Sequence, residues 1–277
     1  MELTRLGQSR TLFFRQTTSP TDGSTATMIT IDNYANLVAA FSDLLLVSIH
    51  VILFEREIYP PSLFIAARKY NHPVRQARHP RVCQWIQDAV NACTEELLKC
   101  TVDLIAINIL SPANKPLERF VFDVSAFPVV APSDLHSPFV YIPAHDTTTN
   151  TGSPTIPDSQ DASVTGGIST IDLEEQLRAV LTKLSYASVK LGKLPEECTF
   201  SVSMELKKDS PAPEGNPPVW VAAEYQGTTT GPRRQQAPSQ RAAETSRTIP
   251  VRSLALGAMA LETWIEEAVG KQELVRS

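Results

Sequence analysis

The most informative segment of this 277-residue chain is residues 49 to 90, IHVILFEREIYPPSLFIAARKYNHPVRQARHPRVCQWIQDAV. It begins with the end of an apolar helix that stops at the charged triplet Glu55-Arg56-Glu57. A turn follows at Tyr59-Pro60-Pro61, because proline cannot continue a helix. After a short aromatic and basic segment, His79-Pro80 begins a second helix, since proline suits the first helical turn. The segment therefore predicts two helices separated by a short non-helical unit.

The spacing of apolar residues predicts three helices in all. The first follows a cap at Asp32 or Asn33 and is apolar nearly all round, which predicts burial on several sides. The second runs from about Pro80 to Cys100, with apolar residues at three- and four-residue intervals. The third lies between residues 169 and 192, where a capping residue precedes it and Gly192 ends it.

Three segments have the composition of β-strands. Val102 to Leu110 and Leu117 to Val124 are rich in aliphatic, β-branched and aromatic residues, and the proline-containing link between them predicts an antiparallel hairpin. Cys198 to Leu206 alternates apolar and polar residues throughout, which is typical of a half-buried strand.

Four segments lack these patterns. Residues 1–27 are predicted to be a disordered amino-terminal extension, and residues 129–168, with scattered prolines, a flexible insertion. Residues 226–248 are polar and locally basic, which predicts a mobile loop. Propensity alone favours a helix over Ala255 to Val269.

The overall composition argues against two classes of partner, duplex DNA and membranes. With 42% hydrophobic residues and a net charge of −5, it is expected to be globular and not to bind duplex DNA by charge alone. The apolar residues 34–54 are interrupted by polar side chains, so they predict a buried core helix and no membrane partner. The four cysteines form no CxxC pair and are expected to be reduced thiols.

The sequence favours a protein that is not an enzyme. It contains no glycine-rich phosphate loop, no GxSxG and no HExxH, so we predict no catalytic residues and no cofactor. A hydrolase or metal enzyme using His72, His79 and Cys83 is the alternative. Their spacing matches no zinc pattern, so no metal site is predicted.

The order of the elements resembles the HORMA-domain accessory subunits of the translesion DNA polymerase zeta. Besides the opening segment, the resemblance is carried by Phe120-Val121-Phe122, Gln176-Leu177-Arg178-Ala179, Cys198-Thr199-Phe200 and Ile249-Pro250. It runs from about residue 28 to residue 269 and indicates a fungal-type homologue with extra insertions. It implies an α+β fold, a HORMA domain over residues 28–277 with three central helices packed on an antiparallel sheet. Residues 207–277 would form the safety-belt region that wraps around a partner.

The resemblance also implies a peptide-binding groove. In this family the belt captures a proline-containing peptide of the polymerase catalytic subunit by strand addition. The peptide-binding positions carried over are Trp85, Trp220, Ala222, Tyr59 and Tyr70. Aromatic anchors suit proline because rigid rings bury much area at little entropic cost. Ordinary core packing is the alternative for both tryptophans, and turn packing is the alternative for both tyrosines.

A second implied surface lies on the belt and binds the carboxy-terminal domain of the deoxycytidyl-transferase scaffold. The matching positions are Thr248, Glu262 and Trp264, although the family often has leucine at the first and tyrosine at the last. The family also folds residues 255–269 as belt strands, against their helical propensity. Arg178 matches a position used for pairing two HORMA domains, and a solvated arginine on a helix face is the alternative.

These observations lead to one main functional hypothesis and one alternative. The chain is expected to be a nuclear, non-catalytic adaptor of polymerase zeta that joins the catalytic subunit to the scaffold in DNA damage tolerance. The alternative is a spindle-checkpoint or meiotic HORMA regulator of chromosome segregation. The sequence leaves open the state of the belt without a partner and whether the protein dimerises.

Overall fold

The computed structural model describes residues 31–139, 170–208, 210–211, 220, 246–268 and 271. Its helices are α1 (Tyr34–Glu55), α2 (Pro80–Leu98) and α3 (Thr170–Val189). Its strands are β1 (Phe64–Lys69), β2 (His72–Ala77), β3 (Val102–Leu110), β4 (Pro116–Asp123), β5 (Thr199–Leu206), β6 (Ser246–Leu256) and β7 (Met259–Ala268). The α+β prediction, with three helices and an antiparallel sheet, is confirmed.

Helix α1 is the centre of the core. The Asn33 side chain caps it by accepting a hydrogen bond from the Asn36 N–H at 2.9 Å. Phe41 is fully buried, and its ring meets those of Phe122 and Phe127 edge-on at centroid distances of 6.3 and 5.5 Å. The helix is long and apolar enough to cross a membrane, but in this fold it is mostly buried among the other elements.

Five strands form one antiparallel sheet in the order β5-β3-β4-β7-β6. One face of the sheet carries the apolar side chains that join the helices in the core, including Ile107, Phe122 and Ile265. The hairpin of β6 and β7 adds to β4, with Phe120 opposite Ile265. The carboxy-terminal belt strands thus complete the sheet on the side of β4.

Residues 255–268 are strands, so the helix that propensity favours there is wrong and the family expectation is correct. Along β7, Met259, Leu261, Thr263 and Ile265 are buried, and the residues between them are more exposed. This period of two places the apolar side chains on one face of a strand, whereas a helix would scatter them around its surface. Burial against the core therefore overrides local preference.

Strands β1 and β2 form a separate two-stranded hairpin that the sequence reading did not identify. Tyr70 and Asn71 link the strands with positive φ angles of 51° and 52°, as a two-residue type I′ turn requires. The register pairs Phe64 with Ala77 at the base and Lys69 with His72 at the turn. One face of the hairpin packs against α1 and leaves the other exposed.

The first part of the predicted 129–168 insertion is fixed to the start of α1, which corrects that boundary. Pro132–Asp134 forms a short 3-10 turn, and the backbone N–H of Ala35 donates to the Leu135 carbonyl at 2.9 Å. The Phe139 N–H donates to the Asp32 carbonyl at 2.6 Å. Likewise, residues 246–248 of the predicted 226–248 loop belong to β6. The rest of both segments and the 1–27 extension lie outside the described residues.

A buried ion network ties the carboxy-terminal segment to the core. The Arg56 guanidinium donates to both carboxylate oxygens of Glu118, at 2.8 and 2.6 Å, and to the Gly192 carbonyl at 2.6 Å. The Lys271 ammonium donates to the same Glu118 carboxylate, to the Gly192 carbonyl at 2.8 Å and to Glu267 at 2.9 Å. The side chains of Arg56, Glu118 and Lys271 are only 7%, 0% and 1% exposed, so each charge depends on the others for compensation.

His50 makes the stability of the fold depend on pH. Burial lowers its pKa from 6.5 to about 4, and the neutral ring accepts a hydrogen bond from the Ala77 N–H at 3.4 Å. Between these values the unfolded chain binds a proton that the folded chain does not, so acid favours unfolding. We expect the free energy of unfolding to fall by about 2 kcal/mol between about pH 6.5 and pH 5, measured by urea denaturation. His50→Gln should remove this slope, and His79→Gln, at an exposed site, should keep it; an unchanged slope in His50→Gln would contradict the assignment.

Candidate functional site

Of the two edge strands in the described five-stranded sheet, β5 is better suited to pair with another strand. The sheet ends at β5 on one side and at β6 on the other. Strand β6 contains Pro250, which lacks a backbone N–H, and its register shifts between Pro250 and Arg252. Strand β5 contains no proline, so every residue of its outer edge carries a backbone N–H. An extended peptide can therefore pair with β5 more completely than with β6.

The apolar side chains of β5 are only partly covered by the other described residues. Phe200, Val202 and Met204 lie opposite Ile109, Ile107 and Ile105 of β3, and all six side chains belong to the core or pack against it. The three isoleucines are fully buried, whereas their partners on β5 are only half-buried. An added strand would cover this remaining apolar surface.

An aromatic cluster stands beside the edge. The Phe200 ring lies 4.8 Å from the Trp85 ring of α2 and 6.5 Å from the Tyr59 ring, in both cases edge-on. Trp85 and Tyr59 are half-buried, and burial raises the pKa of the Tyr59 phenol, which keeps it neutral. The structure thus brings together two of the predicted peptide-binding residues. Together with Phe200 they form what we call the aromatic cluster.

Phe200 is a candidate that the sequence reading missed as a site residue. The alternation of residues 198–206 predicts an inward side chain at this position, and Phe200 does pack against the core. The sequence feature that points to Phe200 is an aromatic residue at the first inward position of its strand. The sequence does not reveal where that strand lies in the sheet. Only the strand order shows that β5 lies at an edge and that its aromatic residue faces α2.

Trp220 and Ala222 belong to the less described part of the belt. Trp220 is half-buried and packs against the hydrophobic core. Ala222 lies outside the described residues. The assignment of both positions to the peptide groove stays a prediction.

Tyr70 lies at the far end of the β1–β2 hairpin, away from the aromatic cluster. The hairpin is six residues long, so its turn stands about 20 Å from its base. The Tyr70 carbonyl accepts a hydrogen bond from Nε of Arg178 at 2.8 Å, and burial, with the nearby charges of Asp43 and Glu174, raises the pKa of the phenol. Tyr70 therefore connects the hairpin to α3, and its assignment to the peptide groove stays a prediction. Arg178, predicted for dimerisation, is half-buried in this contact.

The three predicted scaffold-binding residues share one face of the β6–β7 hairpin. Glu262 and Trp264 are two apart on β7 and alternate with the buried Leu261, Thr263 and Ile265. Thr248 lies opposite Glu266, the next residue on that same face. The indole N–H of Trp264 donates to the Glu266 carboxylate at 2.9 Å. This face points away from the helices, so it and the aromatic cluster lie on different surfaces of the protein.

The Cys83 thiol of the enzyme alternative is engaged in packing, whereas His79 is exposed. The Cys83 thiol donates to the Ala77 carbonyl at 3.0 Å, and burial raises its pKa. Burial also raises the pKa of Cys93, to about 12. Within residues 31–139 and the other described segments, no group of three His, Cys, Asp or Glu side chains is placed to hold a metal ion.

Sequence comparison connects this arrangement to known proteins. A model of the HORMA domain matches residues 38–247. The DNA polymerase zeta processivity subunit of Schizosaccharomyces pombe is 31% identical over 227 residues, which cover 82% of this chain and 91% of that protein. The mitotic spindle assembly checkpoint protein MAD2B of Homo sapiens is 29% identical over 177 residues, covering 64% and 69% of the two chains.

Solved structures share the fold. A chain of the mitotic checkpoint complex crystal structure superposes with a TM-score of 0.57 at 18% identity, covering 85% of this chain and 97% of that one. C. elegans HTP-2 bound to the HIM-3 closure motif superposes with a TM-score of 0.50 at 12% identity, covering 86% and 92%. At these identities the likeness concerns the arrangement of helices and strands.

Proposed function

Because the chain belongs to the HORMA domain family, whose members of this kind are non-catalytic adaptors, we propose that it serves as the accessory subunit of the translesion DNA polymerase zeta. In this role it acts in the nucleus, in error-prone bypass of DNA damage, and joins the catalytic subunit to the deoxycytidyl-transferase scaffold. The similarity to the S. pombe processivity subunit over nearly its whole length supports this proposal. The chain itself is not an enzyme.

The β5 edge, which no described strand covers, and the aromatic cluster beside it are the observation that carries the peptide-capture part of the proposal. A segment of the catalytic subunit adds to β5 as an extra strand, and its main chain supplies hydrogen bonds that do not depend on sequence. Prolines of that segment pack against Trp85, Phe200 and Tyr59, because proline rings and aromatic rings bury apolar area with little loss of entropy. In this proposal the safety-belt region, residues 207–277, holds the peptide, and its described strands β6 and β7 complete the sheet.

Bridging follows from the positions of the two surfaces. The scaffold domain binds the outward face with Thr248, Glu262 and Trp264, whereas the peptide binds at the opposite end of the sheet. Strands β4 and β3 separate the belt hairpin from β5, so we expect that one partner does not displace the other. The proposal includes a HORMA–HORMA dimer through Arg178, whose side chain is half-buried and donates to the Tyr70 carbonyl within the chain.

Titration of the full-length protein with a proline-containing peptide of roughly 20 residues from the catalytic subunit tests the proposal. We expect binding with a Kd on the order of micromolar or tighter, and a loss of about tenfold or more when the prolines are replaced by alanine. A scrambled peptide of the same composition is the matched control. Equal affinity for the scrambled peptide, or no binding of the original, would overturn peptide capture from the catalytic subunit.

A regulator of chromosome segregation is the second candidate, since several similar proteins carry the name mitotic spindle assembly checkpoint protein MAD2B. The same titration separates the two functions. A checkpoint or meiotic regulator would bind the motif of a segregation protein in preference to the catalytic-subunit peptide. Preference for the polymerase peptide supports the adaptor role.

A further inference from the structure

Positive charge is concentrated in one part of this acidic protein. Residues 58–87 contain five of the chain's 25 basic residues and none of its 30 acidic residues, which leaves 20 basic and 30 acidic residues elsewhere. The segment therefore carries a net charge of +5, and the remainder carries −10. The net charge of −5 for the whole chain conceals this asymmetry.

The fold places four arginines of this segment on one exposed ribbon. Arg68 and Arg75 are exposed on the face of the β1–β2 hairpin whose base is buried by Phe64 and Ala77; Arg68 is paired with Pro73 and Arg75 with Ala66. Because the two residues are diagonal neighbours on adjacent strands, their Cβ atoms are expected to lie roughly 7 Å apart. Arg78 follows at the base of the hairpin, and Arg81 is exposed in the first turn of α2. These four residues form what we call the arginine ribbon.

The arginine ribbon is not neutralised within the described part of the fold. Arg56 is paired with Glu118, Lys69 with Asp43, and Arg119 with Glu205 and Glu266. By contrast, no described carboxylate lies within 4.0 Å of the guanidinium groups of the ribbon. Arg75 lies over the Phe54 ring at 5.1 Å, a contact that orients its side chain, and the nearby Glu55 carboxylate compensates its charge in part without forming an ion pair.

We propose that the arginine ribbon binds the phosphodiester backbone of DNA without reading its sequence, a function beyond peptide capture. Arginine suits phosphate because its planar fork donates two parallel hydrogen bonds to two oxygens. A two-stranded ribbon with an exposed face can lie against a nucleic acid groove. Since the rest of the chain is net negative, it repels a polyanion and directs it to this face.

The residues of the arginine ribbon are suited to contact the phosphate backbone of DNA and not its bases. The exposed positions on this face of the hairpin are Ala66, Arg68, Pro73 and Arg75, which include no aromatic ring for base stacking and no Asn or Gln for base edges. Binding is therefore expected to be weak, salt-dependent and indifferent to sequence. Such a contact would hold an adaptor near a DNA template without selecting a site.

Fluorescence anisotropy with labelled DNA tests this inference. Full-length protein is titrated into a mixed-sequence duplex of roughly 30 base pairs and into one of its single strands, at low salt. We expect binding to both, and the fourfold variant Arg68→Ser, Arg75→Ser, Arg78→Ser and Arg81→Ser to lose about tenfold or more in affinity. For the duplex, the slope of log affinity against log salt should fall by about 3 to 4 on losing four phosphate contacts.

The matched control changes the net charge equally at other exposed sites. It carries Lys183→Ser, Lys190→Ser, Lys193→Ser and Lys208→Ser, and should bind DNA nearly as well as the unsubstituted protein. If the fourfold arginine variant fails to fold, Arg68→Ser with Arg75→Ser should give about half the change in slope. Equal losses in the lysine control, absence of DNA binding, or displacement of DNA by polyglutamate at equal charge would overturn the proposal.

Discussion

Replacement of Glu118 by glutamine is expected to lower the free energy of unfolding by about 3 to 5 kcal/mol, as observed when a buried ion pair loses one partner. The Glu118 carboxylate is fully buried and receives the charges of both Arg56 and Lys271. A neutral amide of the same shape cannot compensate two cations, and it presents N–H groups toward donors that need acceptors. Urea denaturation of the two proteins under the same conditions measures the difference.

Glu205→Gln provides the control for this prediction. Glu205 also pairs with an arginine, Arg119, but its side chain is half exposed, so water replaces much of the lost interaction. We expect that substitution to cost less than about 1 kcal/mol. If both variants lost the same small amount, the network around Glu118 would not hold the fold together.

The network also predicts where Glu118→Gln loosens the protein first. Lys271 follows β7, and its contacts to Glu118 of β4 and to Gly192, just after α3, fix the end of the belt against the core. Hydrogen exchange should therefore rise in β6 and β7 before it rises in α1. A uniform rise over all elements would show that the network serves general stability and not retention of the belt.

Replacement of Trp85 by alanine is expected to weaken binding of the proline-containing peptide by about 2 to 4 kcal/mol, roughly 30- to 800-fold in Kd. Trp85 is the largest ring of the aromatic cluster, and it also supports Phe200 at 4.8 Å. Its loss removes a contact to the peptide and frees the neighbouring ring on β5. Isothermal titration calorimetry with the same peptide measures the effect.

Trp264→Ala is the matched control for Trp85→Ala. It removes the same side chain from the outward face of β7, which does not border the β5 edge. We expect it to leave peptide affinity within about threefold of the unsubstituted protein, while Trp85→Phe should retain part of the binding. Thermal unfolding of each variant separates lost affinity from lost structure. Equal affinities for Trp85→Ala and Trp264→Ala would remove the aromatic cluster from the groove.

Much of the architecture is predictable from local patterns because it depends on neighbouring residues. The apolar period of α1 and α2, the hairpin of β3 and β4, and the alternation along β5 all appear in the structure close to their expected bounds. The β1–β2 hairpin is not predicted from the sequence because arginines and a proline obscure the alternation of apolar and polar residues that is typical of strands. The helix favoured over residues 255–268 was wrong because burial on one face of β7 outweighs propensity.

The candidate site was only partly predictable because its parts are distant in sequence. Trp85 and Tyr59 meet through Phe200, more than 100 residues further along the chain. Similarly, Arg56 and Lys271 meet at Glu118 across separations of 62 and 153 residues. Tyr70 shows the converse, since it is near Tyr59 in sequence but lies at the other end of the hairpin. Periodicity identifies which face is buried, and only the strand order shows which residues share an edge.

The two unequal edges of the sheet limit how copies of this protein can polymerise. A filament that grows by strand pairing needs a receptive edge on both sides of each copy, and Pro250 with its register shift interrupts the outer edge of β6. Two copies can therefore join through β5 only head to head, which ends growth at a pair. A peptide bound along β5 occupies that edge, so the described part of the large sheet then keeps only the interrupted edge of β6 for pairing with another copy.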